Sequence, residues 1–250
     1  MNGIEILRQT AESFTQFIVS AFMLTNVNFA DTGCEIKDYE YLTNFDVYEV
    51  QCEENVDSPI EIEEVLPSLE YLNEISKVKF EKRIPVLLVQ KEIEEKNSIK
   101  NGGYEDGVIV LYQPEQKDTK EETNRYLIKT LVHEFGHHLD QNLNDTQLND
   151  FKRERLEEAG ITKQNQKDKL SNTPLKWENR PDEVFAEDIS SVLVNKEDRV
   201  YLNKTNAELL ENDKAFELRE LTIKALQKKY KRNDNHEKKI CANQGSLSKV

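Results

Sequence analysis

Val132-His133-Glu134-Phe135-Gly136-His137-His138 is the stretch that decides how this chain reads. His133 and His137 are four residues apart. On a helix that spacing stacks two imidazoles on one face, one turn apart, where they can share a metal ion. Glu134 projects beside that face, where its carboxylate can take a proton from an activated water. The surrounding residues support a helix: Leu127, Leu131, Phe135 and Leu139 recur every four positions, which gives it one apolar side. Thr123 is the expected N-cap, and the helix is expected to run to Asn142.

An H-E-x-x-H pair is one protein ligand short of a catalytic zinc site, which usually takes three and leaves a fourth position open. Gly at 140 and His at 143 would complete the metzincin arrangement, but Asp140 and Leu143 stand there. A thermolysin-like layout is met by Glu157, although Ile161 replaces the acidic residue expected four positions on. Glu183 is the other candidate, in Arg180-Pro181-Asp182-Glu183-Val184-Phe185-Ala186-Glu187. Pro181 opens a helix there, Glu183 and Glu187 fall one turn apart, and Val184, Ile189 and Leu193 can bury it. On spacing alone both carboxylates stay open.

Outward from the motif, helices dominate and strands cluster before residue 113, so the class is α+β. Residues 31–60 read as loops and short strands. Pro67 is expected to open a helix through Phe80, with Leu69, Leu72, Ile75 and Val78 on one side. Pro85 to Val89 and Val108 to Tyr112 read as strands, and Asn101-Gly102-Gly103 as a turn. Thr146 to Ala159 is a helix stopped by Gly160. Ile161 to Lys176 is loop-like. Ala207 to Lys231 is the last amphipathic helix, and residues 233–250 form a polar tail expected to be disordered.

The chain has 250 residues and a net charge of -14. That acidity argues against a nucleic-acid backbone or an anionic bilayer as partner. No apolar run reaches the roughly 18 residues of a membrane span. Residues 1–30 hold an apolar stretch, Phe17 to Leu24, ending towards Ala30. This is the order of a secretory signal, but Glu5 and Glu12 offset Arg8, and Asn28 suits a cleavage site poorly. A degenerate signal and an amphipathic first helix both fit. Cys34, Cys52 and Cys241 form no C-x-x-C pair. Three unpaired thiols are the expectation, with a Cys34–Cys52 bond the alternative in an oxidising compartment.

His133 to Asp140 (HEFGHHLD) followed by Asp182 to Asp188 (DEVFAED) resembles the peptidase domain of anthrax lethal factor and the related secreted Pro-Pro endopeptidases of clostridia. The resemblance spans residues 31–230. It implies a zincin-like domain over residues 31–232, mostly helical, with a small N-terminal mixed sheet and an H-E-x-x-H helix. It implies one Zn²⁺ per chain on His133, His137 and Glu183, with Glu134 as general base. Gly102-Gly103-Tyr104 and the strand from Gly107 look like that family's loop and substrate-side edge strand. Val108, Ile109, Val110, Leu111 and Tyr112 are therefore expected to hold an extended protein or peptide substrate. The family carries a Tyr seven positions before its ligand Glu. Lys176 stands there, beside Trp177, and either Lys176 or Tyr201 is left to serve the oxyanion. The implied function is a zinc-dependent metalloendopeptidase, secreted, with a cytoplasmic location as alternative. A zincin-fold binding or regulatory protein without turnover is the second reading, and intact Glu134 argues against it. A helical interaction protein without metal is the third.

Overall fold

A computed structural model describes residues 35–52, 59–90, 93–95, 98–114, 119–158, 160–161, 180–194 and 212–246. Strands β1 (Glu35–Tyr41) and β2 (Phe45–Gln51) come first, then helix α1 (Ile62–Ser76). Strands β3 (Ile84–Gln90), β4 (Ile93–Glu95), β5 (Ser98–Lys100), β6 (Gly102–Glu105) and β7 (Val108–Tyr112) follow. Helices α2 (Lys120–Asn142), α3 (Thr146–Glu158), α4 (Pro181–Leu193) and α5 (Asn212–Ser246) complete the described chain. The α+β class and the small N-terminal mixed sheet are observed. The leader, the Lys176 and Trp177 positions and Tyr201 lie outside the described residues.

The main sheet has the order β1-β2-β3-β7-β6, and β4 pairs separately with β5. β2, β3 and β7 run parallel, while β1 and β6 are antiparallel to their neighbours. Parallel strands are normally covered on both faces and read as unbroken apolar runs, which is how Val86-Leu87-Leu88-Val89 and Val108 to Tyr112 read. Val86, Leu88, Ile109 and Leu111 join the helix-side core with Leu127, Leu131, Phe135 and Leu139. The alternate residues Leu87, Val89, Val108, Val110 and Tyr112 form a second buried cluster on the other face.

Two features of the edge overturn the sequence expectation. Gly102 and Gly103 do not turn the chain; they begin β6. The turn is Asp106-Gly107, both at positive φ, 50° and 88°, a two-residue hairpin loop of the type that Asp-Gly favours. Val108, Ile109, Val110, Leu111 and Tyr112 are therefore not an edge strand. β6 folds back outside β7 and takes the edge, leaving all five residues interior and buried. The register pairs Gly102 with Leu111 and Tyr104 with Ile109, and Tyr112 N–H donates to the Asn101 carbonyl at 2.9 Å. Hydrogen-bonded and non-bonded rungs alternate in an antiparallel pair. Positions 101, 103 and 105 thus bond to β7, and the main-chain groups of Gly102 and Tyr104 face outward.

Helix boundaries differ from expectation where caps decide them. α1 starts at Ile62, five residues before Pro67, and Glu61 N–H donates to the Glu64 carboxylate at 3.2 Å. α2 starts four residues early because Thr119, not Thr123, is the cap: its hydroxyl accepts from Glu122 N–H at 3.2 Å. Gly160, at φ 70°, follows α3 as expected. α5 continues to Ser246, past the expected end at Lys231; the first glycine after its start is Gly245. Cys52 is disulfide-bonded, against the expectation of three free thiols. Cys34 lies outside the described residues. Among the described residues no helix is long and apolar enough to cross a membrane.

Candidate metal centre

His133 and His137 project from α2 with their Nε2 atoms 3.2 Å apart. Glu183 enters from the first turn of α4, and its Oε2 lies 3.2 Å from His133 Nε2 and 3.3 Å from His137 Nε2. The three atoms make a nearly equilateral triangle. Ligands held tetrahedrally at about 2.0–2.1 Å from one ion are separated by about 3.3–3.4 Å. The triangle has the size of one face of such a tetrahedron, so the group could hold a metal ion. Among the described residues it is the group of three or more ligand-type side chains that converges this way. Glu157 is exposed on α3 and outside it. Spacing leaves the choice open, and the fold brings Glu183, not Glu157, to the histidines.

Two small residues let α4 come this close. A Cβ at Gly136 would lie 2.8 Å from Ala186 Cα and 3.1 Å from the Ala186 carbonyl oxygen. Only glycine leaves room for that approach. Pro181 begins α4, which sets Glu183 in the first turn, where the helix dipole favours a carboxylate. Val184, Phe185, Ile189 and Leu193 bury the rest of the helix. Asp188 accepts from Arg155 of α3 at 2.9 Å, and Lys152 Nζ lies 3.9 Å from the centre of the Phe185 ring. Helical periodicity does not predict the Gly136–Ala186 contact; its signal is the single glycine in the interior of a 23-residue helix.

The electrostatics suit a cation. Burial pushes the Glu183 carboxyl up, but hydrogen bonds and charge from His133 and His137 outweigh it and hold it at about 2. Burial disfavours the charged form of His137, yet Glu183 and Glu134 hold its imidazole above the ordinary value. Glu187, one turn beyond Glu183, places Oε1 3.6 Å from His133 Nδ1 and Oε2 3.6 Å from Lys129 Nζ. A carboxylate there can orient the ring of a liganding His.

Glu134 is buried, 7% exposed, and stands outside the triangle. It turns towards β6: a Cβ at Gly102 would meet Thr130 Cγ2 at 2.5 Å and Glu134 Oε1 at 3.2 Å. A buried carboxylate thus sits between two imidazoles and the open edge of a sheet. His138 takes no part in the triangle. Its ring stacks on Phe135 at an interplanar angle of 7°, and its Nδ1 lies 3.0 Å from the Tyr104 hydroxyl. Burial, with the charge of Lys229, pulls His138 down to about 4, so it is neutral at pH 7. No family model, no curated protein and no solved structure matches this chain, and the resemblance to the lethal factor peptidase domain rests on the motif residues alone.

Proposed function

We propose that this chain is a zinc-dependent metalloendopeptidase of zincin-like fold. The observation that carries the reading is the triangle of His133, His137 and Glu183, sized for one tetrahedral ion, with a buried carboxylate beside it that is not a ligand. Two imidazoles and one carboxylate are a ligand set of catalytic zinc. Zinc bound there would supply a Lewis acid and a water of lowered pKa.

The remaining steps belong to the chain. Glu134 accepts the proton of the attacking water and returns it to the leaving amine. Glu187, 3.6 Å from His133 Nδ1, is the carboxylate placed to orient that ring. The outward main-chain groups of Gly102 and Tyr104 pair with an extended peptide, which aligns it beside Glu134. The substrate edge is thus β6 and not the interior strand Val108 to Tyr112. This arrangement, together with the H-E-x-x-H and D-E-V-F-A-E-D motifs, supports the resemblance to lethal factor and the secreted endopeptidases.

The test is metal content and cleavage together. Purified wild type is expected to carry about one zinc, the one-site stoichiometry of the catalytic class, and to cut members of a peptide library, with cutting abolished by chelator. Glu134→Gln is expected to keep its zinc and lose about 10²–10⁴-fold in turnover, the usual worth of a general base. Wild type without zinc refutes the reading. Zinc with no cleavage of any peptide turns the reading to a binding protein on the same scaffold.

A further inference from the structure

We propose that Tyr104 is a positioning residue that locks the peptide-binding edge to the metal helix through His138. The inference rests on the endopeptidase reading and names a device within that site.

Tyr104 has two attachments that point in opposite directions. Its main chain lies on β6, at an outward-facing rung of the open sheet edge. Its side chain runs inward to α2. The hydroxyl lies 3.0 Å from His138 Nδ1 and 3.4 Å from Asn142 Nδ2. Asn142 is itself tied down: its side chain donates to the His138 carbonyl at 2.9 Å, and the Asn142 carbonyl accepts from Lys229 Nζ at 2.7 Å. The Tyr104 ring meets the His138 ring edge-on, at 88° and 5.5 Å between centroids. His138 in turn stacks on Phe135 and on Phe80. It follows His137 directly, so the pin ends one residue from a metal ligand.

The geometry makes the distance between substrate backbone and metal depend on this link. β6 is a four-residue strand at a sheet edge, held by one neighbour and by α2. Gly102 offers no side chain to hold it; contact there is with Thr130 and Glu134. Tyr104 supplies the strand's side-chain anchor on the helix that bears both histidines. Small displacements of a reacting group are costly, on the order of 10²-fold for 1 Å. A loosened β6 would still bind peptide but present it badly, which lowers kcat more than it raises KM.

The experiment uses the full chain and two readouts. Tyr104→Phe removes the hydroxyl and keeps the ring; His138→Phe keeps the stack and removes Nδ1. Each is expected to retain zinc and to speed amide exchange at Gly103 and Glu105 about tenfold, the equivalent of one hydrogen bond of ordinary worth. Each is expected to lower kcat on an extended peptide about tenfold with KM changed less than about twofold. The double variant should be no worse than Tyr104→Phe alone, because that change already removes the link to His138. Additive losses, or unchanged exchange in β6, overturn the proposal. If wild type cleaves no peptide, the endopeptidase reading falls, and the exchange measurement alone decides whether the pin exists.

Discussion

Replacing Gly136 by Ala is the sharpest probe of how the centre is assembled. The new Cβ would start 2.8 Å from Ala186 Cα, where ordinary contact begins at 3.4 Å, so α4 must retreat by about 0.6 Å. Glu183 lies on α4, one turn before Ala186, and retreats with it. Metal–ligand distances tolerate about ±0.2 Å, so the triangle opens by roughly three times the tolerance. Two effects on stability oppose each other. Ala in place of Gly inside a helix is worth about 1 kcal/mol. Overpacking a tight contact costs about 1–3 kcal/mol. The metal-free protein should therefore melt close to wild type or slightly below it. Zinc affinity should fall on the order of 10–100-fold, the loss typical when ligand support is disturbed. Competition against a chelating dye reads the affinity, and melting curves with and without zinc read the linked stabilisation. Ala186→Gly in the same background should not restore binding, because the nearest clash is with backbone and not with the Ala186 methyl. A Gly136→Ala protein with wild-type zinc affinity would show that the helices have room to spare and would refute the packing argument.

Three further outcomes are expected. Glu183→Gln should weaken zinc binding at least about 100-fold, more than loss of a supporting group, while Glu157→Gln leaves it unchanged; the reverse pattern in a metal titration would mean a different third ligand. In the metal-free protein His138, lowered by burial to about 4, should contribute stability that is lost as pH falls below the ordinary His value of 6.5, while His137, held above that value, contributes in the opposite direction. The unfolded chain binds the His138 proton first, so that contribution is complete above 6.5 and is lost towards 4, about 2 kcal/mol by pH 5. Urea titrations at pH 7.5 and 5 should show the difference in wild type and a smaller one in His138→Phe. Reduction, or Cys52→Ser, should cost about 3 kcal/mol if Cys34 closes the hairpin loop; a non-reducing peptide map that finds Cys52 free refutes the bond.

The motif helix is legible in the sequence because its signals are local. Leu127, Leu131, Phe135 and Leu139 repeat at the helical period, and His133 and His137 share it. Pro181 marks the start of α4 for the same reason. What escapes depends on contacts between segments. Gly102-Gly103 reads as punctuation in one dimension, yet Gly102 is a glycine because α2 passes within contact of it. The Asp106-Gly107 turn next to it reverses the strand, and that reversal moves the sheet edge from β7 to β6. No periodicity within Val108 to Tyr112 distinguishes an interior strand from an edge. The disulfide of Cys52 depends on tertiary pairing, which the spacing of cysteines does not encode. Which of Glu157 and Glu183 lies near the histidines depends on which helix can approach α2, and that turns on Gly136 and Ala186.

Helix α2 shows why so much of the centre hangs on one segment. Successive residues rotate by about 100° around a helix. Taking His133 as the origin, His137 falls about 40° to one side, with Gly136 about 60° and Lys129 about 40° to the other. These are the residues that meet α4 through Glu183, Ala186 and Glu187. On the His137 side, Thr130 falls at about 60°, Glu134 at about 100° and His138 at about 140°, and these face β6 through Gly102 and Tyr104. Leu131, Phe135 and Leu139 occupy the remaining sector, from about 160° to about 240°, and fill the sheet-side core. His133, His137, Glu134 and His138 thus occupy the arc that an ordinary amphipathic helix gives to solvent. A small rotation of α2 cannot improve one contact without degrading another, because three partners grip three sectors of the same two turns. These contacts hold α2 in the rotation that brings two imidazoles and a carboxylate to within 3.3 Å of one another.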